Sequence, residues 1–449
     1  MNIWFVVEVI LAFSFMIAIH EWGHFIVMRL CGIRVERFAI GFGPTLFAKK
    51  WGDTEYALLA IPLGGYCKPA GGDLSDESAG KMYEKPPQPG EFLYAPWWKR
   101  ILVALAGPGM NYLSAFALMF IILVVGEQIP IEKPILGFVP PASFAAKAGL
   151  KKDDVLLKID GQKVTNLFTD EDTIYDDLNK TPAQSVTLEV KRGKRTFQAL
   201  ISGDLKNPKA DLGISSLVAP LIGTVPLGTP ARKAGLLPGD RVVKVNGRKV
   251  GDWDELAYRI RGAANDEIHL VVARDGKDYP VTVARVYNGL NKAIGIAAPE
   301  PTQFLVKKFG VVDAFTTSAV RIQAMTSLYL GSLWKLVTGK ISLRQNLAGP
   351  VTIMRTMYEK AAQGWIEFLS MVCFISLVLC LMNLLPIPVL DGGQIVIFLI
   401  EGIKRSPVSI RWQSWYQNVG FVFIVALMVL AVFNDVWGLI LEKFHSQIP

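Results

Sequence analysis

Four stretches of the chain are continuously apolar. Residues 3–28 carry only Glu8, His20, Glu21 and His24 as ionisable groups, and residues 101–126, 368–390 and 412–434 carry no charged residue at all. Each is long enough for a helix to cross a bilayer, which takes ~20 residues, so the pattern predicts four transmembrane helices. The first stretch is too long for the apolar region of a signal peptide. It has no basic segment before it and no small-residue cleavage site after it, and reads as a retained helix. Behind it, residues 34–47 and 53–66 read as the two strands of a hairpin, with Gly41-Phe42-Gly43 and Leu63-Gly64-Gly65 as bends. Residues 308–340 place Val311, Phe315, Ile322, Tyr329, Leu333 and Leu336 at helical spacing with few charges, the pattern of an interfacial helix on the membrane surface.

Between the second and third spans the pattern changes to short alternating strands, and one passage occurs twice. The stretch from Ala145 to Asp154 returns from Ala231 to Asp240, and Val155 to Gly161 returns as Arg241 to Gly247. The offset is 86 residues at Gly149/Gly235, Asp154/Asp240, Gly161/Gly247 and Val164/Val250. Two copies of a one-domain period mean tandem domains, since a solenoid needs three or more stacked units. Each copy has an Asp-Gly or Asn-Gly turn between strands and ends in a Gly-Ile strand, Leu212-Gly213-Ile214 and Ile294-Gly295-Ile296.

Composition agrees with a membrane protein that also carries polar domains. Of 449 residues, 51% are hydrophobic and 19% charged, with a mean hydropathy of +0.34. The net charge of +8 does not point to nucleic acid, because no basic run exceeds two residues. It is unevenly spread. Ten Lys/Arg lie between Met28 and Ile101, and Lys404, Arg405 and Arg411 follow the third span. By the positive-inside rule, residues 29–100 and 391–411 face the cytoplasm, and residues 127–365 and both termini face the other side of the membrane. The cysteines, at 31, 67, 373 and 380, form no Cys-x-x-Cys pair, so neither a zinc ribbon nor a disulfide framework is indicated.

The chemistry sits in the first span, as His20-Glu21-Trp22-Gly23-His24. Residues four apart share a helix face, so the two imidazoles can chelate one zinc ion, with Glu21 placed to act on water. Ionisable side chains inside a span are costly, and metal binding compensates them. His20 lies roughly 25 Å along the span at 1.5 Å per residue, near its cytoplasmic end. The third span ends near Pro386 on the same side, followed by Asn383-x-x-Pro386-x-Pro388-x-Leu390-Asp391-Gly392-Gly393. Prolines that break the helix and glycines that let the backbone turn bring Asp391 to the depth of the histidines. Asp391 reads as the third ligand in preference to a helix cap.

These two motifs make the chain resemble the site-2 proteases, a family of intramembrane zinc metalloproteases. The duplicated segment resembles a pair of PDZ domains, which narrows the likeness to the bacterial regulator-of-sigma-E type. Further matches are Pro62-Leu63-Gly64-Gly65-Tyr66, Ala106-Gly107-Pro108-x-x-Asn111 and Ala348-Gly349-Pro350.

The resemblance implies one Zn2+ per chain held by His20, His24 and Asp391, with Glu21 as catalytic base. Asn383, Gly64, Gly65 and Tyr66 would lie along the substrate. Leu212, Gly213, Ile214, Ile294, Gly295 and Ile296 would form PDZ carboxylate loops, whose domains either capture trimmed C-termini or exclude bulky substrates. The implied substrates are single-span membrane proteins: an anti-sigma factor already trimmed by another protease, and remnant signal peptides, cut during an envelope stress response.

The expected fold is a polytopic α-helical membrane protein with four transmembrane helices, two tandem PDZ-like α+β/β-barrel domains and a membrane-associated β-hairpin. Its expected parts are 1–126, the first two spans with the cytoplasmic hairpin; 127–214 and 215–300, the PDZ domains; 301–365, a periplasmic interfacial segment; and 366–449, the last two spans. The expected location is the bacterial inner membrane, with the active site near the cytoplasmic face. No role is assigned to the Pro/Gly/acid-rich loop near 69–96. The rival reading is a membrane-anchored PDZ scaffold without catalysis, which leaves the His-Glu-His set unexplained.

Overall fold

The computed structural model describes residues 2–71, 88–167, 185–202, 212–226, 228–288, 291–339 and 349–445. Most of the loop near 69–96 therefore lies outside the described residues. The chain divides into two compact units, Met1–Glu127 with Lys308–Pro449, and Gln128–Lys307.

In the first unit, four helices are long and apolar enough to cross a membrane: Ile3–Leu30, Trp97–Val125, Trp365–Asn383 and, within the helix Ile410–His445, residues Arg411–Trp437. A helix satisfies its own backbone groups, which lipid cannot do. Small residues bring the first three together. A Cβ added at Gly23 would lie 2.3 Å from the carbonyl oxygen of Ala106, so the first span rests directly on the second. The second and third spans share hydroxyls: Ser114 and Ser376 are 2.7 Å apart, and both donate to the carbonyl of Asn111. Cys373, in the same seam, donates to the Ala115 carbonyl at 3.1 Å, and belongs to an apolar core that includes Leu123 and Leu377.

The stretch expected to be a hairpin folds further. Its two long strands, Val35–Trp51 and Thr54–Pro69, pair more than once. Phe38 is opposite both Cys67 and Tyr56, while Tyr56 is opposite both Phe38 and Lys49. The result is a sheet four segments wide, in the order 65–69, 35–40, 55–58, 45–51. Gly41 and Gly43, at φ of +98° and +87°, reverse the chain between 35–40 and 45–51, a conformation open to glycine at no steric cost. The segment 65–69 is an edge of this sheet.

The helix Val311–Val337 occupies the stretch expected to lie on the membrane surface. Ala314 and Ile322 join the apolar core of the second and third spans, whereas Val312, Val320 and Leu328 are 66–76% exposed. One face is thus packed and the other is bare and apolar. Residues 340–348, including Ala348, lie outside the described residues. Next comes the helix Pro350–Gln363, whose first turn is capped from a distance. Asp435, on the last helix, accepts the backbone N–H groups of Gly349, Val351 and Thr352 at 3.0–3.1 Å, and the Thr352 hydroxyl at 2.6 Å. Four donors on one carboxylate satisfy the orphan N–H groups of a helix start.

The second unit shows the repeat in three dimensions. Each copy has one four-stranded antiparallel sheet with the same strand order. In the first copy the order is Gln162–Lys163, Val155–Ile159, Ser185–Arg192, Arg195–Ser202; in the second it is Arg248–Lys249, Arg241–Val245, Glu267–Arg274, Lys277–Ala284. These are open sheets with edges, so the barrel half of the expectation is not met among the described residues. The Asp160-Gly161 and Asn246-Gly247 turns have positive φ at both residues, as a two-residue hairpin requires. Ser143 and Thr229, 86 residues apart like the other repeat positions, cap the short helices Phe144–Lys147 and Pro230–Lys233.

One polar device is duplicated as well. Buried Asp154 accepts the Lys151 N–H and both arms of Arg192 at 2.7–2.8 Å. Buried Asp240 does the same with the Leu237 N–H and Arg274, at 2.6–2.9 Å. Each guanidinium also donates to the carbonyl of Gly149 or Gly235, tying strand to helix end. The hydrogen bonds to the carboxylate push both arginine pKa values up from the ordinary range. Arg285 closes the C-terminus of the helix Trp253–Arg261 by donating to the carbonyls of Ile260, Arg261, Ala263 and Asn265. The two copies meet through a 2.7 Å ion pair between Lys152 and Asp252 and a ring contact between Phe138 and Tyr258.

Candidate metal centre

The first span presents His20, Glu21 and His24 within one turn. Asp391 arrives from the chain after the third span. That span ends at Asn383, and the chain then turns through Leu384–Leu390 before the helix Asp391–Lys404. The sequence placed Asp391 on irregular backbone and gave the turn to the two glycines. Instead Asp391 is the first residue of a helix, and the left-handed residue is Val389, at φ +82°. A β-branched residue there is an outlier that its surroundings must hold in place. Gly392 and Gly393 serve close packing. A Cβ on Gly392 would lie 2.3 Å from the Leu385 carbonyl oxygen, and one on Gly393 would lie 2.2 Å from that of Ile387. The helix therefore folds back onto its own entry loop, and this aims Asp391 inward. The N-cap position is taken by Leu390, whose side chain offers no cap hydrogen bond.

The three candidate ligands converge. His20 Nε2 is 3.2 Å from Asp391 Oδ2, His24 Nε2 is 3.6 Å from Oδ1, and the two Nε2 atoms are 3.1 Å apart. Their side chains are 11–14% exposed. Among the described residues this is the one group of three or more His, Cys, Asp or Glu placed to hold a metal ion.

The separations test the fit. Donors ~2.1 Å from a tetrahedral zinc ion stand roughly 3.4 Å apart; the two imidazole nitrogens, at 3.1 Å, and the nearer carboxylate oxygen to each, at 3.2 and 3.6 Å, lie close to that value. Two nitrogens and one carboxylate oxygen, with a fourth position left for water or substrate, are also the donor set of catalytic zinc sites. His24 is oriented from behind: its Nδ1–H donates to the Val103 carbonyl at 2.7 Å, which leaves Nε2 bare for a metal.

Glu21 is outside the ligand set. It interacts electrostatically with His24, His20 and Asp391 and lies against the backbone N–H of Cys67. Gly65 brings the sheet edge to it: a Cβ there would lie 3.4 Å from Glu21 Cγ and 2.9 Å from the Ala39 carbonyl oxygen. Strand alternation turns Gly64 and Tyr66 to the opposite face. The Phe42 ring lies across Gly64, and Tyr66 packs on Ala39, Ala57 and Leu59, under the Arg37 guanidinium. Of the expected substrate residues, Gly65 is thus the one brought to Glu21. Asn383 ends the third span, and its side chain makes no hydrogen bond to the described residues.

In the second unit Gly213 and Gly295 have φ of +72° and +83°, and a Cβ on either would collide with the capping Ser143 or Thr229. Leu212, Ile214 and Ile294 are buried in the domain cores, with Ile296 packed against the second. The carbonyls of Leu212 and Ile294 accept from Ala145 and Ala231 on the short helices.

Sequence reasoning assigned no role to the groups behind the histidines. The Val103 carbonyl carries no side-chain signal. Gly107 does, within Ala106-Gly107-Pro108: a Cβ there would lie 2.3 Å from His24 Nε2 and 2.7 Å from His20 Nε2.

Comparison with known proteins places the chain in a family. The model of Peptidase family M50 matches residues 8–427, and the chain belongs to that family, the site-2 class of zinc metalloproteases. It is 32% identical over 456 residues to "Regulator of sigma-E protease RseP" of Salmonella typhimurium (strain 14028s / SGSC 2262), covering 96% of this chain and 98% of the relative. The figures are the same for the protein of that name in Escherichia coli (strain K12). A "Putative zinc metalloprotease" of Vibrio cholerae is 30% identical over 456 residues, covering 96% and 98%. The chain is a multi-pass membrane protein.

Gly107→Val puts a branched side chain against both imidazoles. It should strip zinc from the purified protein while the four spans still form. Metal content by atomic emission, beside helix content by circular dichroism, checks this; a full zinc complement in the variant would contradict the packing.

Proposed function

We propose that this zinc metalloprotease cleaves single-span membrane proteins within or beside their membrane segment, with His20, His24 and Asp391 as zinc ligands and Glu21 as catalytic base. The observation that carries the assignment is Asp391, remote in sequence, lying beside both Nε2 atoms of the His-Glu-x-x-His turn.

When bound, zinc lowers the pKa of a water molecule to ~7 and polarises a carbonyl. The chain's own groups do the rest. A Glu21 carboxylate oxygen takes the proton of the attacking water and returns it to the departing amide nitrogen. Glu21 belongs to no other ion pair among the described residues, which suits a group that must change protonation state. The sheet edge at 65–69 runs beside Glu21. A transmembrane helix hides its peptide bonds, and an unwound segment added as the next strand would present them. Gly65 keeps that edge free of side chain at the reacting centre. Asn383, eight residues before Asp391, is proposed to contact the substrate from the far side, and Gly64 and Tyr66 to shape the edge from behind.

The tandem domains are read as PDZ domains spanning about 127–214 and 215–300, and the membrane core as residues 1–126 with 366–449. The duplicated sheet, the positive φ at Gly213 and Gly295 and the adjoining short helices support carboxylate loops at Leu212–Ile214 and Ile294–Ile296. The segment 301–365 is read as interfacial, on the strength of the bare apolar face of Val311–Val337. The implied substrates are an anti-sigma factor already trimmed by another protease and remnant signal peptides. The relatives named as regulators of sigma-E proteases support a place in an envelope stress response. The enzyme is proposed to sit in the bacterial inner membrane, with the tandem domains and both termini in the periplasm and the metal near the cytoplasmic face. The Lys/Arg distribution supports that orientation.

Glu21→Gln should retain zinc and lose cleavage of a reconstituted single-span substrate by at least 10²-fold, the scale of a lost general base. Measurable turnover close to wild type would remove Glu21 from the mechanism. The orientation has its own test in spheroplasts. In a cysteine-free background, Lys194→Cys should react with an impermeant thiol reagent and Asp53→Cys should not; the reverse labelling would invert the topology.

A further inference from the structure

An imidazole binds a metal through one nitrogen only if its proton sits on the other. For His24 the Val103 carbonyl fixes that proton on Nδ1. His20 has no carbonyl behind it. The atom facing its Nδ1 belongs to Asn111, whose amide nitrogen lies 3.3 Å away. The Asn111 amide oxygen is buried and has no partner among the described residues. An acceptor is thus left unused, while a donor is set against the ring nitrogen that must carry the proton.

A carboxamide turned by half a rotation about its last bond exchanges oxygen and nitrogen with almost no change of shape. In the turned state Oδ1 accepts the His20 Nδ1–H, and Nε2 is bare toward Asp391, as in His24. In the other state the amide N–H needs a lone pair on Nδ1, so the ring proton moves to Nε2, where His24 Nε2 stands 3.1 Å away and Asp391 at 3.2 Å. That state closes the nitrogen to a metal.

We propose that Asn111 is a positioning residue for the metal centre, acting on His20 through its amide oxygen as the Val103 carbonyl acts on His24. The proposal rests on reading His20 as a zinc ligand. The placement is built into the fold. Asn111 is 1% exposed, and its backbone carbonyl receives the hydroxyls of Ser114 and Ser376 at 2.9 and 3.0 Å. That turn of the second span is therefore held to the third. A partner of this kind fixes ring orientation and tautomer, and its loss typically costs 10–100-fold in metal affinity.

The test uses full-length protein in detergent, with zinc affinity from titration against a chromophoric chelator and the visible spectrum of the cobalt-substituted protein. Asn111→Leu, which offers no acceptor, should lower zinc affinity by 10–100-fold and alter the cobalt bands. Asn111→Ala is the second variant without an acceptor, should the leucine not fold. Asn111→Asp keeps an oxygen and loses the amide donors; it should bind zinc like wild type and restore the cobalt spectrum. The proposal is overturned if the leucine or alanine variant binds zinc with unchanged affinity and spectrum. It is equally overturned if the aspartate variant loses as much as they do, since the amide N–H would then be the group that matters. His20→Ala separates this from the assignment beneath it. If that variant binds zinc as wild type does, His20 is not a ligand; if it loses zinc while Asn111→Leu keeps it, the Asn111 proposal alone falls.

Discussion

A carboxylate and two imidazoles meet inside a largely apolar helix bundle, and much of the first unit follows from keeping them there. Ionisable groups within a span are expensive unless they are paired or bind a metal, and an unpartnered one would oppose both insertion and packing. His20, His24 and Asp391 offset one another at 3.1–3.6 Å, and their separations fit a tetrahedral zinc ion. Bringing them together requires three helices to approach more closely than ordinary side chains permit. Gly23, Gly107, Gly392 and Gly393 each stand where a Cβ would come within 2.3 Å of a carbonyl oxygen or of His24 Nε2. These glycines make close approach possible; none of them has a positive φ.

The same economy appears at a distance from the metal. Asp435 caps a helix start from another helix, and Arg285 closes a helix end with a guanidinium fixed by four carbonyls. In the second unit, Asp154 and Asp240 bind one arginine each in the same way. All are buried polar groups made tolerable by several hydrogen bonds each, since a buried charge left unpaired costs several kcal/mol. Duplication of the Asp–Arg pair is the strongest physical sign that the two sheets are copies of one domain.

How much of this could be read from the residues follows from how local each signal is. The spans were legible because ~20 apolar residues have few other uses. His20, Glu21 and His24 were legible because four-residue spacing on a helix is local, and Asp391 because its motif placed it at the same depth. The Asp-Gly and Asn-Gly turns were legible for the same reason. The four-segment sheet was not. Alternation shows that residues 35–40 form a strand, but not that Phe38 has one neighbour at Tyr56 and another at Cys67. Val389 carries no mark of a left-handed residue, since the surrounding packing imposes that conformation. Asn111 lay in view within a matched motif, yet its relation to His20 exists only when two helices are side by side.

The central claim is that Asp391 completes a metal site begun by His20 and His24. Zinc content per chain in purified Asp391→Ala tests it most directly, measured beside wild type at matched concentration and with folding verified by helix content. The account predicts about one zinc per wild-type chain, the single ion that the donor set fits, and little or none in the variant. A folded Asp391→Ala protein that keeps its zinc at wild-type affinity would contradict it and return Asp391 to the role of a helix-terminal residue.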